Sequence, residues 1–184
     1  MMEKNRMGML LFLASEAMFF SVLILAYVYY RGPGVEGPTA ETALDPVTTG
    51  IFTIFLLASS VTFWLAERSI ARQRELRARL WLLATVHLGV IFLIGQGWEY
   101  FNLFRENVTI DRNLFGTTFF TLTGFHGFHV FGGLVAIAIL TGLSATGHFR
   151  GPHSVAVETV GLYWHFVDVV WIIIFALIYV WPFL

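Results

Sequence analysis

The chain has 184 residues, of which 57% are hydrophobic and only 12% charged, and eleven Lys plus Arg against twelve Asp plus Glu leave a formal charge of −1. A chain of this size cannot bury so much apolar side chain in an aqueous core, so the excess has to face lipid, in keeping with a mean hydropathy of +0.74. The near-zero charge leaves nothing to hold phosphates, which excludes nucleic acid as a partner, and the lack of cysteine excludes a disulfide framework, a thiolate metal site and a cysteine nucleophile.

A membrane helix needs about 20 mostly apolar residues to cross about 30 Å of hydrocarbon, and five runs meet that requirement. The first, 7–30, contains one charge, Glu16. The second and third, 47–66 and 80–98, contain none, and Glu99 closes the third. No Asp, Glu, Lys or Arg occurs between Arg112 and Arg150, which places the fourth at 114–143. The fifth, 155–181, carries only Glu158 near its start and Asp168 inside. The expected architecture is an all-α integral membrane protein, a single domain over 1–184 built as a five-helix bundle. Gly32, Pro33, Gly34, Gly37 and Pro38 form the first loop, Asp45 and Pro46 read as an N-cap followed by proline at the first helical position, and Gly151-Pro152 precedes the fifth helix. Lys4 and Arg6 precede an apolar run too long for a signal peptide and without a small-residue cleavage site, so the first run is expected to be a retained span.

Orientation follows from the cations. With the N-terminus inside, Lys4, Arg6, Arg68, Arg72, Arg74, Arg77, Arg79 and Arg150 are internal, and Arg31, Arg105 and Arg112 external; eight against three favours N-inside and C-outside. Trp64 and Trp81 then mark the inner boundary, and Tyr27, Tyr29, Tyr30, Trp98, Tyr100 and Trp181 the outer one. The arginine-rich loop reads as a topology determinant beside headgroups, with anionic lipid or partner binding as the alternative.

Ionisable groups inside a span are the informative ones, because each costs about 2.5–3.5 kcal/mol at mid-membrane even on the mildest scale. They are Glu16, His87, His126, His129, His165 and Asp168. At a rise of about 1.5 Å per residue, Glu16 lies roughly 13 Å, His87 about 10 Å and His165 about 15 Å from the inner boundary, with His126 and His129 in the middle to inner half. The result is one polar layer on four helices, expected to point inward. Glu158, Gly161, His165 and Asp168 follow i, i+3, i+7, i+10, a stripe about 80° wide. His126 and His129 share a face, and Thr123-x-x-x-Gly127, His129-x-x-x-Gly133 and Ala138-x-x-x-Gly142 offer small residues for close helix approach. Trp164 and Trp171 are expected to be packing anchors.

The plainer account of His126, His129, His165 and Asp168 is that each hydrogen-bonds a carboxylate or backbone carbonyl and locks helices together; metal or haem ligation is the alternative. Glu16 has Ser15 beside it but no Lys or Arg at its depth, so it is expected to be protonated or reached by water, with proton handling, lipid contact and passive packing all open. Gln96 and Glu99 are expected to join an interfacial hydrogen-bond network. The sequence has no G-x-S-x-G elbow, P-loop, H-E-x-x-H or cysteine-based zinc pattern. Two histidines on facing helices could still sandwich a haem. A haem-bearing electron carrier therefore stays open, as does a small proton-coupled transporter, although no broken half-helix pair or inverted repeat supports the latter.

Four ordered stretches, SEAMFF at 15–20, QGWEY at 96–100, FGTTFFTLTGFHGFHVFGG at 115–133 and YWHFVDVVW at 163–171, resemble subunit III of the haem–copper oxidases over nearly the whole chain. The resemblance is greatest to the five-helix bacterial cytochrome c oxidase subunit III. It implies an accessory subunit with no cofactor of its own, packed mainly on subunit I beside subunit II and small subunits, with haems and copper in those partners. It also implies bound phospholipid and a bacterial plasma (inner) membrane. The family is thought to sustain proton uptake into the catalytic subunit, protect it from inactivation during turnover and offer a lipid-lined oxygen route. Carried over, Glu16 is the carboxylate at the lipid cleft, while Glu99, His126, His129, His165 and Asp168 match the family's buried polar positions. Mitochondrial-type members have seven helices, and this chain begins at what resembles the third, so one wall of the larger form's cleft is missing or supplied by another subunit. Quinol-oxidising relatives more often show Asp at Glu16 and Thr at Phe125, so cytochrome c is the expected donor; a quinol oxidase and a nitric-oxide-reductase accessory protein are the alternatives.

Overall fold

The computed structural model describes residues 2–31, 37–145 and 155–184; the turns expected at Gly32, Pro33 and Gly34 and at Gly151 and Pro152, Arg150, and the side chain of Lys4 lie outside the described residues. α1 runs Met2–Tyr30, α2 is a single turn at Ala40–Ala43, α3 runs Pro46–Ala71, α4 Glu75–Arg105, α5 Leu114–Ala145 and α6 Val155–Phe175. Five helices, all but α2, are long and apolar enough to cross a membrane, and no strand occurs among the described residues. α3 and α4 extend beyond their apolar runs into Glu67, Arg68, Arg77 and Arg79, because Glu and Arg are good helix formers wherever water can reach them.

The start of α3 shows why it begins where it does. Asp45 Oδ1 accepts from the backbone N–H groups of Val47 at 3.0 Å and Thr48 at 3.3 Å, which satisfies two of the four free donors of the first turn, and Pro46 at the first helical position has no N–H to satisfy. The Thr48 hydroxyl and then its backbone N–H hold the Asp45 carboxyl below the usual carboxylate range.

α3, α4, α5 and α6 form a closed ring in which each packs on the next and α6 returns to α3; α1 lies outside the ring, seated on α5 and α6. The ring encloses Trp164, Trp171, Phe63, Phe92, Phe119, Leu122 and Ile137, all at most 1% exposed. Close approach is decided at particular glycines. A Cβ on Gly133 of α5 would stand 2.7 Å from the Trp164 ring, and one on Gly89 of α4 would meet Leu134 at 2.6 Å, so glycine is what lets these helices touch. Gly127 and Gly142, expected to serve the same purpose, have no atom within 4 Å of a Cβ position and face outward. The α5 small-residue spacing therefore works at Gly133 alone, because one face of a helix meets a neighbour and the other does not.

After Phe175 the helix widens into a π-helical turn, Ala176–Val180, and ends in a 3₁₀ turn, Trp181–Phe183. Pro182 has no N–H to give the carbonyl four residues back, and its ring would crowd that carbonyl, so regular α-helix cannot continue through it. Tyr27, expected in the outer aromatic belt, is 1% exposed and belongs to the core, whereas Tyr29 is 79% exposed. A helix that packs on two neighbours buries one side even at an interfacial depth.

Asp45→Ala is expected to cost about 1 kcal/mol of local helix stability, read as roughly fivefold faster hydrogen exchange in the first turn of α3. Because its carboxyl titrates lower when folded, the Asp45 contribution is present above the unfolded pKa of about 4 and disappears as pH falls through the folded value. The exchange difference between the two proteins should shrink correspondingly in acid.

Candidate functional site

Polar side chains collect at three seams between helices. At the α1/α5 seam, His129 Nε2 lies 3.0 Å from Glu16 Oε2, with side-chain exposures of 12% and 19%. Nδ1 of His129 is 2.7 Å from the carbonyl of Phe125, one turn back on its own helix. A carbonyl only accepts, so Nδ1 carries a proton, and the bond from Nε2 to Glu16 requires one further proton held between the two groups. Glu16 was expected to lack a mate at its depth; its mate is His129. Ser15, the neighbour expected to help, bonds to the carbonyl of Phe12 instead. Phe19 and Phe20 pack their rings against His129 at 6.3 and 5.0 Å between centroids, and Phe125 packs on Phe19 at 5.0 Å, so the pair sits under an aromatic wall.

The α3/α6 seam is a ladder of antiparallel rungs. Trp164 Nε1 donates to Ser59 Oγ at 3.1 Å, and Trp171 Nε1 donates to Thr53 Oγ1 at 3.0 Å. Between these rungs Ser60 meets both expected site residues of α6: its hydroxyl donates to Asp168 Oδ2 and lies 2.9 Å from His165 Nδ1. A serine has one proton, so with that proton on Asp168 the imidazole must donate to the serine. His165 and Asp168 therefore meet through Ser60 rather than directly. No signal in the sequence singled out Ser60, since a serine in an apolar helix is commonplace until its neighbour is known. Asp168 is 3% exposed and its Oδ1 has no partner.

A third cluster joins α3, α4 and the π-helical turn. Glu99 accepts from Thr49 Oγ1 at 2.7 Å through one carboxyl oxygen and from Tyr179 OH at 2.7 Å through the other. It forms part of the wall of a cleft of about 690 Å³ that Asp45, Thr48, Trp98, Asn102 and Arg105 also line. Gln96, expected to share this network, is buried one turn away with neither side-chain polar atom paired. The neighbouring Tyr100 hydroxyl instead reaches Thr123 Oγ1 of α5 at 2.7 Å.

Two histidines depart from expectation. His126 is fully buried, but neither ring nitrogen has a hydrogen-bond partner. It stacks on Trp171 at 4.8 Å between centroids, with Phe92 edge-on at 6.1 Å and Phe20 at 6.4 Å. It fills space as an aromatic ring instead of bonding a carboxylate or carbonyl. The rings packed around it leave no slot for a porphyrin face, and the Nε2 of His129 is already engaged by Glu16. His87, counted in the inward polar layer, is exposed on the outer side of α4. Depth along a helix does not specify azimuth. Among the described residues, no group of three or more His, Cys, Asp or Glu side chains could hold a metal ion. A further acid was missed because the second apolar run ends one residue before it: Glu67 of α3 lies against Gly161 of α6, where any side chain would collide with its carboxyl.

Residues 1–183 match the family described as cytochrome c oxidase subunit III. The chain belongs to that family. It is 36% identical over 172 residues to a probable cytochrome c oxidase subunit 3 of Mycobacterium leprae, covering 94% of this chain and 85% of that protein. It is 38% identical over 174 residues to cytochrome c oxidase subunit 3 of Synechocystis, covering 94% and 73% of the two chains, and 38% identical over 175 residues to that of Corynebacterium diphtheriae, covering 94% and 85%. In this family member the stretches at 15–20, 115–133 and 163–171 converge on α1, α5 and α6, and the stretch at 96–100 supplies the Glu99 cluster on α4.

Ser60→Ala is expected to leave Asp168 Oδ2 and His165 Nδ1 unpaired and to destabilise the α3/α6 seam by about 1–3 kcal/mol. Thermal denaturation in detergent should show a lowered midpoint. Infrared difference spectra should show the Asp168 carboxyl band displaced, a change that loss of packing elsewhere would not produce.

Proposed function

We propose that this chain, an accessory subunit of the cytochrome c oxidase complex, supports proton uptake and durability of the catalytic subunit through a carboxyl–imidazole pair at its lipid-facing edge. The observation that carries this reading is the Glu16–His129 contact at 3.0 Å, partly exposed at the α1/α5 seam. A hydrogen-bonded pair with one proton between its members, held in a low-dielectric wall, can accept or release a proton without isolating a full charge in lipid. Glu99, His126, His165 and Asp168 act in this proposal as the internal fastening that keeps the helices in register around that edge. The chain itself carries no redox centre and no cofactor. Electrons pass through haems and copper in the partner subunits, with subunit I as the main contact and subunit II and small subunits beside it, and phospholipid lies along the α1 side.

The membrane in this reading is the bacterial plasma membrane, with the N-terminus inside; the lysine and arginine count and the bacterial relatives support it. The outward stripe of α1, including Leu11, Met18, Val22 and Tyr29, is open where a seven-helix form has a further wall. Cytochrome c rather than quinol is the proposed donor, supported by Glu16, by Phe125 and by the names of the relatives.

In the intact oxidase, Glu16→Gln is expected to leave the subunit assembled while shortening the number of turnovers before inactivation, or slowing proton uptake, several-fold. Turnover-dependent activity loss and proton uptake into reconstituted vesicles read this directly. Wild-type values for both quantities in the variant would refute the role given to the pair.

A further inference from the structure

The outer face of α4 carries an unbroken stripe of exposed side chains, Leu80, Leu83, His87, Val90, Ile94 and Phe101, with Gly97 open in the same line. Intervals of 3 and 4 residues along one helix put these positions on one side. All are apolar except His87. By the rise of an α-helix it lies about 9–10 Å from Trp81 along the axis and about 17 Å from Trp98, hence inside the hydrocarbon.

Exposed hydroxyls elsewhere on the spans satisfy themselves, as Ser21 does on the carbonyl of Ala17 and Thr121 on that of Thr117. His87 cannot satisfy itself in full. Its Nδ1 lies 2.7 Å from the carbonyl of Leu83. Since a carbonyl only accepts, the proton is on Nδ1, and Nε2 of the neutral ring is left as a strong acceptor facing outward in a region without water.

That geometry specifies the occupant. An acyl chain has no donor, and headgroups are about 10 Å away. A second copy of the chain docked face to face would bring one acceptor against another. We infer that the outer face of α4 is the docking surface for a transmembrane helix of another oxidase subunit, which presents a hydrogen-bond donor to His87 Nε2 at mid-membrane. This rests on the accessory-subunit reading above, and it names the face of the chain that makes the contact. Gly97 gives the incoming helix room to approach closely, as small residues do at membrane helix interfaces.

The chain has no cysteine of its own, so Val90→Cys in the assembled oxidase can carry a benzophenone probe, with the unsubstituted complex as control and Val22→Cys on α1 as a second position. Irradiation is expected to join the Val90 position to a transmembrane segment of a haem-bearing or neighbouring subunit. His87→Leu should speed loss of the chain from the complex during detergent washing by about three- to tenfold, the span of a membrane hydrogen bond, whereas His87→Gln, which keeps a side-chain acceptor, should retain it. Adducts only to lipid or to a second copy at Val90, in a complex that still holds the chain, would overturn the docking surface and leave the accessory role standing. Equal retention of His87→Leu and wild type would do the same. Failure of the unsubstituted chain to co-purify with a haem-bearing partner would instead remove the reading on which the inference rests.

Discussion

Hydrocarbon offers no hydrogen bonds, so every polar side chain placed at membrane depth must find its partner within protein or remain costly. That constraint organises this molecule more than apolar attraction does, since lipid tails are as apolar as leucine and give helices little reason to prefer one another. Its effect is plainest at the α3/α6 seam, where two indole N–H groups, one imidazole and one carboxyl of α6 all end on hydroxyls of α3: Ser59, Thr53 and Ser60. The rungs run antiparallel and in step, so a slip of either helix would break all of them together. Register is specified by polarity, and closeness by glycine.

The same rule separates the four-helix ring from α1. The ring is tied by Thr49, Glu99 and Tyr179 near one end, by the serine and tryptophan rungs in the middle, and by the Thr62–Thr85 hydroxyl pair at 2.8 Å between α3 and α4. α1 is attached to the ring by aromatic packing and by the single Glu16–His129 bond, with only 11% of its apolar window buried. The polar pair is thus both the anchor of the outermost helix and the ionisable feature nearest to what lies beyond it. Structural and functional accounts of Glu16 are therefore two consequences of one contact.

Buried groups without partners mark where this logic stops. Asp168 Oδ1, both polar atoms of Gln96 and both nitrogens of His126 lie inside the ring unpaired. For His126 the stacking on Trp171 supplies a dispersion and quadrupole contact in place of a hydrogen bond.

Much was legible in the residues taken in order. Uninterrupted apolar length set the five spans, Asp45 followed by Pro46 set where α3 starts, and the i, i+3, i+7, i+10 spacing put His165 and Asp168 on one side of α6, because each of these depends only on geometry within a single helix. The partners were not legible: that Glu16 meets His129, that Ser60 stands between His165 and Asp168, that Glu67 lies on Gly161, or that His87 turns outward. Each of those depends on the rotation of one helix about its axis relative to another. A span that is apolar on every side has no polar face to mark which way it turns, so that rotation leaves almost no trace in the order of its residues. Depth belongs to the sequence; azimuth belongs to the packed bundle.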